Sequence, residues 1–237
     1  MPTNISANPS GRRDNRVYWQ GEPYQSTLFV TMSIHSAQNF DGWAADYDRD
    51  VRQSDADESF PFAGYTRVLD AVVRLAEARL GMSLLDLGSG TGNLAARFAA
   101  LGCAVAGADF SAEMLARARV HVPAARFVQV DLLGGWPPEL NRRFDRVAST
   151  YMFHEFDLPA KIRLLRRLAD GHLAPGGRIV IGDIGFPDAP AQDAARRRWA
   201  DRWDEEFYWI ADEAVPALRA AGLEVSYWQI SACGCAL

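Results

Sequence analysis

Cysteine is scarce in this chain, with three in 237 residues, Cys103, Cys233 and Cys235. So small and odd a set makes a poor disulfide framework and fits a reducing compartment, so a cytoplasmic protein is expected. Long apolar runs are missing too, since nothing approaches the ~20 residues that span a bilayer. The opening "MPTNISANPSGRRDNRVYWQ" holds no continuous apolar stretch of the kind found in a secretory signal. Positive charge is not in excess: 25 Lys and Arg against 30 Asp and Glu leave a net charge of −5. That balance lacks the basic footprint of a nucleic-acid binder. The arginines that cluster, Arg163 to Arg167 and Arg196 to Arg198, fall in helical patterns and read as solvated faces. Neither nucleic acid nor membrane is an expected partner. Cys233 and Cys235 alternate like same-face neighbours in a strand, and without a nearby His or Cys cluster no metal site is expected.

What is present begins late. Residues 1–31 are rich in Asn, Ser, Pro, Gly and Arg without a sustained period, and read as a disordered or mis-assigned N-terminal extension. A domain over 32–237 follows. "WAADYDRDVR" and "GYTRVLDAVVRLAEARLG" place apolar residues at helical spacing, the second with a C-cap-like Gly81. Short apolar strands and helices then alternate. "SLLDLG", "AVAGAD", "ARFVQVD", "FDRVASTY" and "GGRIVIGDI" read as strands. "GNLAARFAAL", "SAEMLARARV" (with Ser111 as its N-cap) and "AKIRLLRRLADGHL" read as helices. A helical stretch is expected from Ala189 to about Ala221, interrupted near Pro216, before two short strands, "LEVSYWQI" and "ACGCAL". This alternation predicts an α/β fold: a doubly wound, mostly parallel seven-stranded sheet with an antiparallel C-terminal edge strand and N-terminal cap helices.

In such sheets ligands bind beyond the carboxyl ends of the strands, where strand order reverses. The first strand-to-helix turn is "DLGSGTGN", whose Gly88, Gly90 and Gly92 let the backbone turn sharply and meet a ligand without an intervening Cβ. Asp109 ends the second strand, where a carboxylate accepts hydrogen bonds from ribose hydroxyls. Asp131 ends the third, where a carboxylate meets an exocyclic amine. Three such features at successive strand ends imply a nucleoside. A dinucleotide fingerprint requires G-x-G-x-x-G, but the sixth position here is Asn93. Asp86, two residues before Gly88, would also repel a diphosphate. A ligand bearing an ammonium and a sulfonium suits that acid, which points to S-adenosylmethionine.

The succession "LLDLGSGTGN", "GADFS", "VQVDLL", "FDRVASTYMFHEF" and "LAPGGRIVI" resembles the motifs of class I S-adenosylmethionine-dependent methyltransferases from about Phe40 onward. The chain is also similar to a group of small bacterial methyltransferases with "WAxxYD" and "STYxFHH", here "WAADYD" (Trp43–Asp48) and "STYMFHE" (Ser149–Glu155), Glu155 replacing the second histidine. The resemblance implies that Gly88 and its neighbours, Asp86 and Gly90 among them, hold the methionine portion. It further implies that Asp109 takes the ribose and that Asp131 with the Leu132 amide takes the adenine edge. Met114 and Tyr47 are placed by it against the cofactor or, equally, in ordinary packing.

The expected activity is methyl transfer from S-adenosylmethionine to a small-molecule acceptor. The alternative is a non-catalytic module that binds S-adenosylmethionine or S-adenosylhomocysteine. His154 is a weak catalytic candidate beyond the fourth strand, beside Tyr151 and Glu155. The aromatics Trp199, Trp203, Phe207, Tyr208 and Trp209 fit either a lid over the acceptor or the core of a helical cap.

Overall fold

The computed structural model describes residues 37–237. The expectations for residues 1–31 lie outside the described residues. Five strands, each followed by a helical crossover or turn, run parallel: β1 (Ser83–Leu87), β2 (Ala104–Asp109), β3 (Arg126–Gln129), β4 (Phe144–Thr150) and β5 (Leu173–Phe186). A two-residue β6 (Trp209–Ile210) pairs with β5. The C-terminal β8 (Gly234–Ala236) is antiparallel both to β5 and to the short β7 (Trp228–Gln229). The order is β3-β2-β1-β4-β5-β8-β7. Strand order therefore reverses between β1 and β4, the crevice where α/β sheets take their ligands.

Helices cover both faces, as buried parallel strands require. On one face lie α3 (Tyr65–Ala76), α4 (Asn93–Ala100) and α5 (Ala112–His121), which bury Val68, Leu69, Leu94, Phe98 and Leu115. On the other, α6 (Leu158–Arg167) and α8 (Ala211–Ala220) bury Leu164, Leu165, Ala214 and Leu218. Two short helices, α1 (Ala37–Trp43) and α2 (Tyr47–Ala56), precede α3. Ser111 is the N-cap of α5 as expected, its hydroxyl accepting the Met114 N–H at 3.1 Å.

Three boundaries differ from the expectation. α3 stops at Ala76 rather than near Gly81, because Glu77 takes a left-handed conformation (φ 48°) and returns its N–H to the Arg74 carbonyl. Leu80, the last apparent apolar position, is 84% exposed, so no core draws the helix further. The interruption in the late helical stretch lies well before Pro216. α7 (Ala189–Arg198) ends ahead of β6, and Pro216 sits inside α8. Packing imposes this break: Trp203 stacks on Phe60 at 4.8 Å, and Tyr208 and Trp209 are drawn into the interior. "LEVSYWQI" is a strand only at β7, since β8 offers it just three residues to pair with.

Candidate active site

The apolar run of β1 ends at Leu87, and the chain reverses through Gly88 (φ 66°) and Gly90 (φ 50°), both in the left-handed region that favours glycine. Asp109, at the end of β2, holds this turn from the side: its Oδ2 accepts the Gly90 N–H at 2.8 Å and its Oδ1 accepts the Ser111 N–H at 2.9 Å. Burial raises the Asp109 pKa, and these amides oppose the rise. Beyond the turn lies a cavity of about 420 Å³, of small-molecule size. Gly88, Gly90, Asp109, Met114, Asp131 and Leu132 line it.

Asp86 is not in that lining. It is buried behind the turn, with both carboxylate oxygens lacking a hydrogen-bond partner. Burial first and the Asp109 charge second push its pKa up to about 8. A buried carboxyl held largely protonated near neutral pH would ionise more readily beside a cation. An added Cβ at Gly90 would meet nothing within 4 Å, so the turn opens onto free space. Cradle and acid together fit a nucleoside that carries positive charge.

The cap helices close this cavity through side chains whose partners sequence reasoning missed. Asp48, in α2, accepts hydrogen bonds from Thr91 Oγ1 at 2.7 Å and Asn93 Nδ2 at 2.9 Å, both in the glycine turn. Asp41, in α1, accepts from Ser111 Oγ at 2.5 Å and from the Glu113 N–H at 3.2 Å. Phe40 and Tyr47 are thereby held in the cavity wall. The final acid of "WAADYD" is thus a fastener, and Asn93 stands in the motif to meet it.

A second cavity, of about 180 Å³, shares Phe40, Tyr47, Tyr151 and Glu155 with the first. His154 lines this smaller space and not the larger one. It sits on the 3₁₀ turn after β4, and its Nδ1 is 2.6 Å from Oδ1 of Asp183 in β5. Asp183 is fully buried and also accepts the His154 and Ile184 N–H groups and the Trp209 indole N–H. Burial alone would lower the His154 pKa. The Asp183, Glu206 and Glu155 carboxylates overcome it and push the value up to about 9. Of the aromatics after α7, Trp203, Tyr208 and Trp209 resolve as packing, whereas Phe207 stays exposed. Trp203 and Tyr208 cluster with Phe60 and Phe186, behind the wall that Phe60 gives the smaller cavity.

Among the described residues, no helix is long and apolar enough to cross a membrane. Residues 62–226 match the family model of a methyltransferase domain. An uncharacterized methyltransferase of Geobacillus kaustophilus is 33% identical over 204 residues, covering 81% of this chain and 91% of the relative. The uncharacterized methyltransferase YrrT of Bacillus subtilis is 30% identical over 208 residues, covering 80% and 90%. Among solved structures, DhpI in complex with SAH superposes with a TM-score of 0.63 at 21% identity, covering 84% of this chain and 92% of that one. A complex between the Haloferax volcanii methyltransferase activator Trm112 and a methyltransferase gives a TM-score of 0.60 at 21% identity, covering 81% of this chain and 79% of that one. These last two likenesses are of fold. Sequence and fold agree: the chain belongs to the methyltransferase domain family.

Proposed function

We propose that S-adenosylmethionine occupies the larger cavity and that a small-molecule methyl acceptor enters the smaller one. The observation that carries this reading is that the two cavities adjoin, with Phe40, Tyr47, Tyr151 and Glu155 lining both. A donor in one and an acceptor in the other would meet where the two join. Bound there, S-adenosylmethionine supplies an electrophilic methyl carbon on a sulfonium.

The protein's part is alignment and exclusion of water, which accounts for large rate factors in such displacements. Gly88 and Gly90 hold the methionine portion through backbone groups, and Asp86 answers its positive charge. Asp109 accepts the ribose hydroxyls. Asp131 and the Leu132 amide take the adenine edge, and Met114, 2% exposed in the cavity wall, packs against the base. Tyr47 covers the cofactor from α2. His154 belongs to the acceptor's side and not to the cofactor's.

A sensor that only bound the cofactor would have no use for a second cavity lined by His154 and Glu155, which favours the enzyme reading. The test is incubation with methyl-labelled S-adenosylmethionine and a fractionated metabolite extract. Label transferred to a small organic compound supports the proposal. Label found only in macromolecules, or in nothing despite tight cofactor binding, contradicts it.

A further inference from the structure

We propose that His154, Glu155 and Glu206 form a binding site for one divalent transition-metal ion in the wall of the smaller cavity. The three side chains bring an imidazole nitrogen and two carboxylate oxygens within 4.8 Å of one another. His154 Nε2 lies 3.9 Å from Glu155 Oε1 and 4.0 Å from Glu206 Oε2. Two ligands each about 2.1 Å from a shared ion stand at most about 4.2 Å apart, and about 3.4 Å at a tetrahedral angle. Against that spacing the two His154 pairs are wider by about half an ångström, and the two glutamates, within 4.8 Å of each other, must also draw together, so side-chain movements on the order of an ångström close the site.

An independent feature aims the histidine. Asp183 lies outside the cluster, in the interior of the sheet, and is fixed by three other donors besides the His154 ring. With Nδ1 directed at that carboxylate, Nε2 is turned toward the two glutamates. A carboxylate behind the imidazole is the outer-shell arrangement that orients metal-binding histidines and raises their basicity. Glu206 is brought into place by backbone contact: the N–H of its neighbour Phe207 donates to the His154 carbonyl at 3.0 Å. Lys161 then ties the Phe207 carbonyl from α6. Two loops distant in sequence are thus locked together where their donor atoms converge.

All three side chains have lost most of their water, with 10% exposure at His154, 7% at Glu155 and 11% at Glu206. Carboxylates in that state are stabilised by adjacent positive charge, which a bound ion would supply in place of the His154 proton. One nitrogen and two oxygens suit manganese, iron(II) or zinc and not a soft ion such as copper(I). Three protein ligands leave positions open, as in catalytic and not structural sites. Those positions face the smaller cavity. On the reading of that cavity as the acceptor's seat, the ion would take an oxygen chelator with an ionisable hydroxyl, such as a hydroxy acid or a diol, and acidify it.

The experiment uses the full chain, stripped of metal, titrated with Mn²⁺ alone by electron paramagnetic resonance and with Zn²⁺ by calorimetry. Saturation at one ion per chain is expected. Glu206→Gln and His154→Gln should each weaken binding at least about tenfold, and Asp183→Asn about ten- to a hundredfold. Glu205→Gln, at an exposed neighbour, should leave it unchanged. Circular dichroism and S-adenosylmethionine titration of the same metal-free samples report whether each variant is folded. No saturable uptake by the wild type overturns the proposal, as does uptake indifferent to both substitutions in folded protein. Metal-free wild type that binds S-adenosylmethionine yet takes up no ion sinks the metal site alone. Metal uptake without S-adenosylmethionine binding sinks the function proposed above and leaves this site standing.

Discussion

Asp48 of α2 and Thr91 of the glycine turn are joined by a 2.7 Å hydrogen bond, and Asn93 meets the same carboxylate oxygen at 2.9 Å. This pairing pins the cap helices to the turn that shapes the larger cavity. Hydrogen bonds to a charged group contribute about 1.5–3 kcal/mol each. Asp48→Ala should therefore lower the melting temperature by several degrees and weaken S-adenosylmethionine binding several-fold, since Tyr47 loses its anchor. Thermal denaturation and calorimetry check both effects. Unchanged affinity would mean that the cap does not serve the cofactor.

Asp86 gives the site a pH dependence of known sign. Its folded-state pKa, raised to about 8 by burial and the Asp109 charge, exceeds the ordinary carboxylate value. The folded protein holds a proton there that the unfolded chain releases near pH 4. Asp86 thus costs stability progressively as pH rises from about 4 to about 8. Asp86→Asn should remove that dependence and raise the melting temperature at pH 8 by several degrees, while weakening the cofactor. In the wild type a cationic ligand stabilises the carboxylate, so affinity should climb as pH approaches 8 and then level. Calorimetry in buffers of different ionisation heat should detect release of up to about one proton per ligand at pH 7.

His154 faces the smaller cavity, so its loss should be felt by turnover and not by cofactor binding. Once an acceptor is identified, His154→Gln should cut kcat/KM at least about tenfold, a loss of roughly 1.4 kcal/mol in transition-state stabilisation. S-adenosylmethionine affinity should stay within a factor of about two. Equal loss of both would assign the residue to holding the end of β4 in place.

Much of this was legible in the chain. Periodicity located the central strands because both faces of β1, β2 and β4 are buried, leaving near-continuous apolar runs. Local chemistry fixed the α5 N-cap at Ser111 and the positive-φ turn at Gly88 and Gly90. What local pattern did not show was which side chains meet at long range. The break before β6 is imposed by Trp203 and Trp209 finding partners in Phe60 and Asp183, which no local propensity encodes. Asp183 in "IVIGDI" and Glu206 in "WDEEFYW" stand in no recognisable motif. Only the sheet brings Asp183 to His154, and only the Phe207–His154 backbone bond brings Glu206. No motif spacing announced that cluster.

The central claim is that the cavity beyond β1 and β2 binds S-adenosylmethionine through Asp109. The direct measurement is calorimetric titration of the wild type, Asp109→Asn and Asp109→Ala with S-adenosylmethionine, with circular dichroism on each sample. A ribose contact made of charge-assisted hydrogen bonds contributes on the order of 1.5–3 kcal/mol per bond. Binding by the wild type at one site per chain, at least about tenfold weaker in both variants with the fold intact, is the predicted result. Unchanged affinity in folded Asp109→Ala protein would contradict the account.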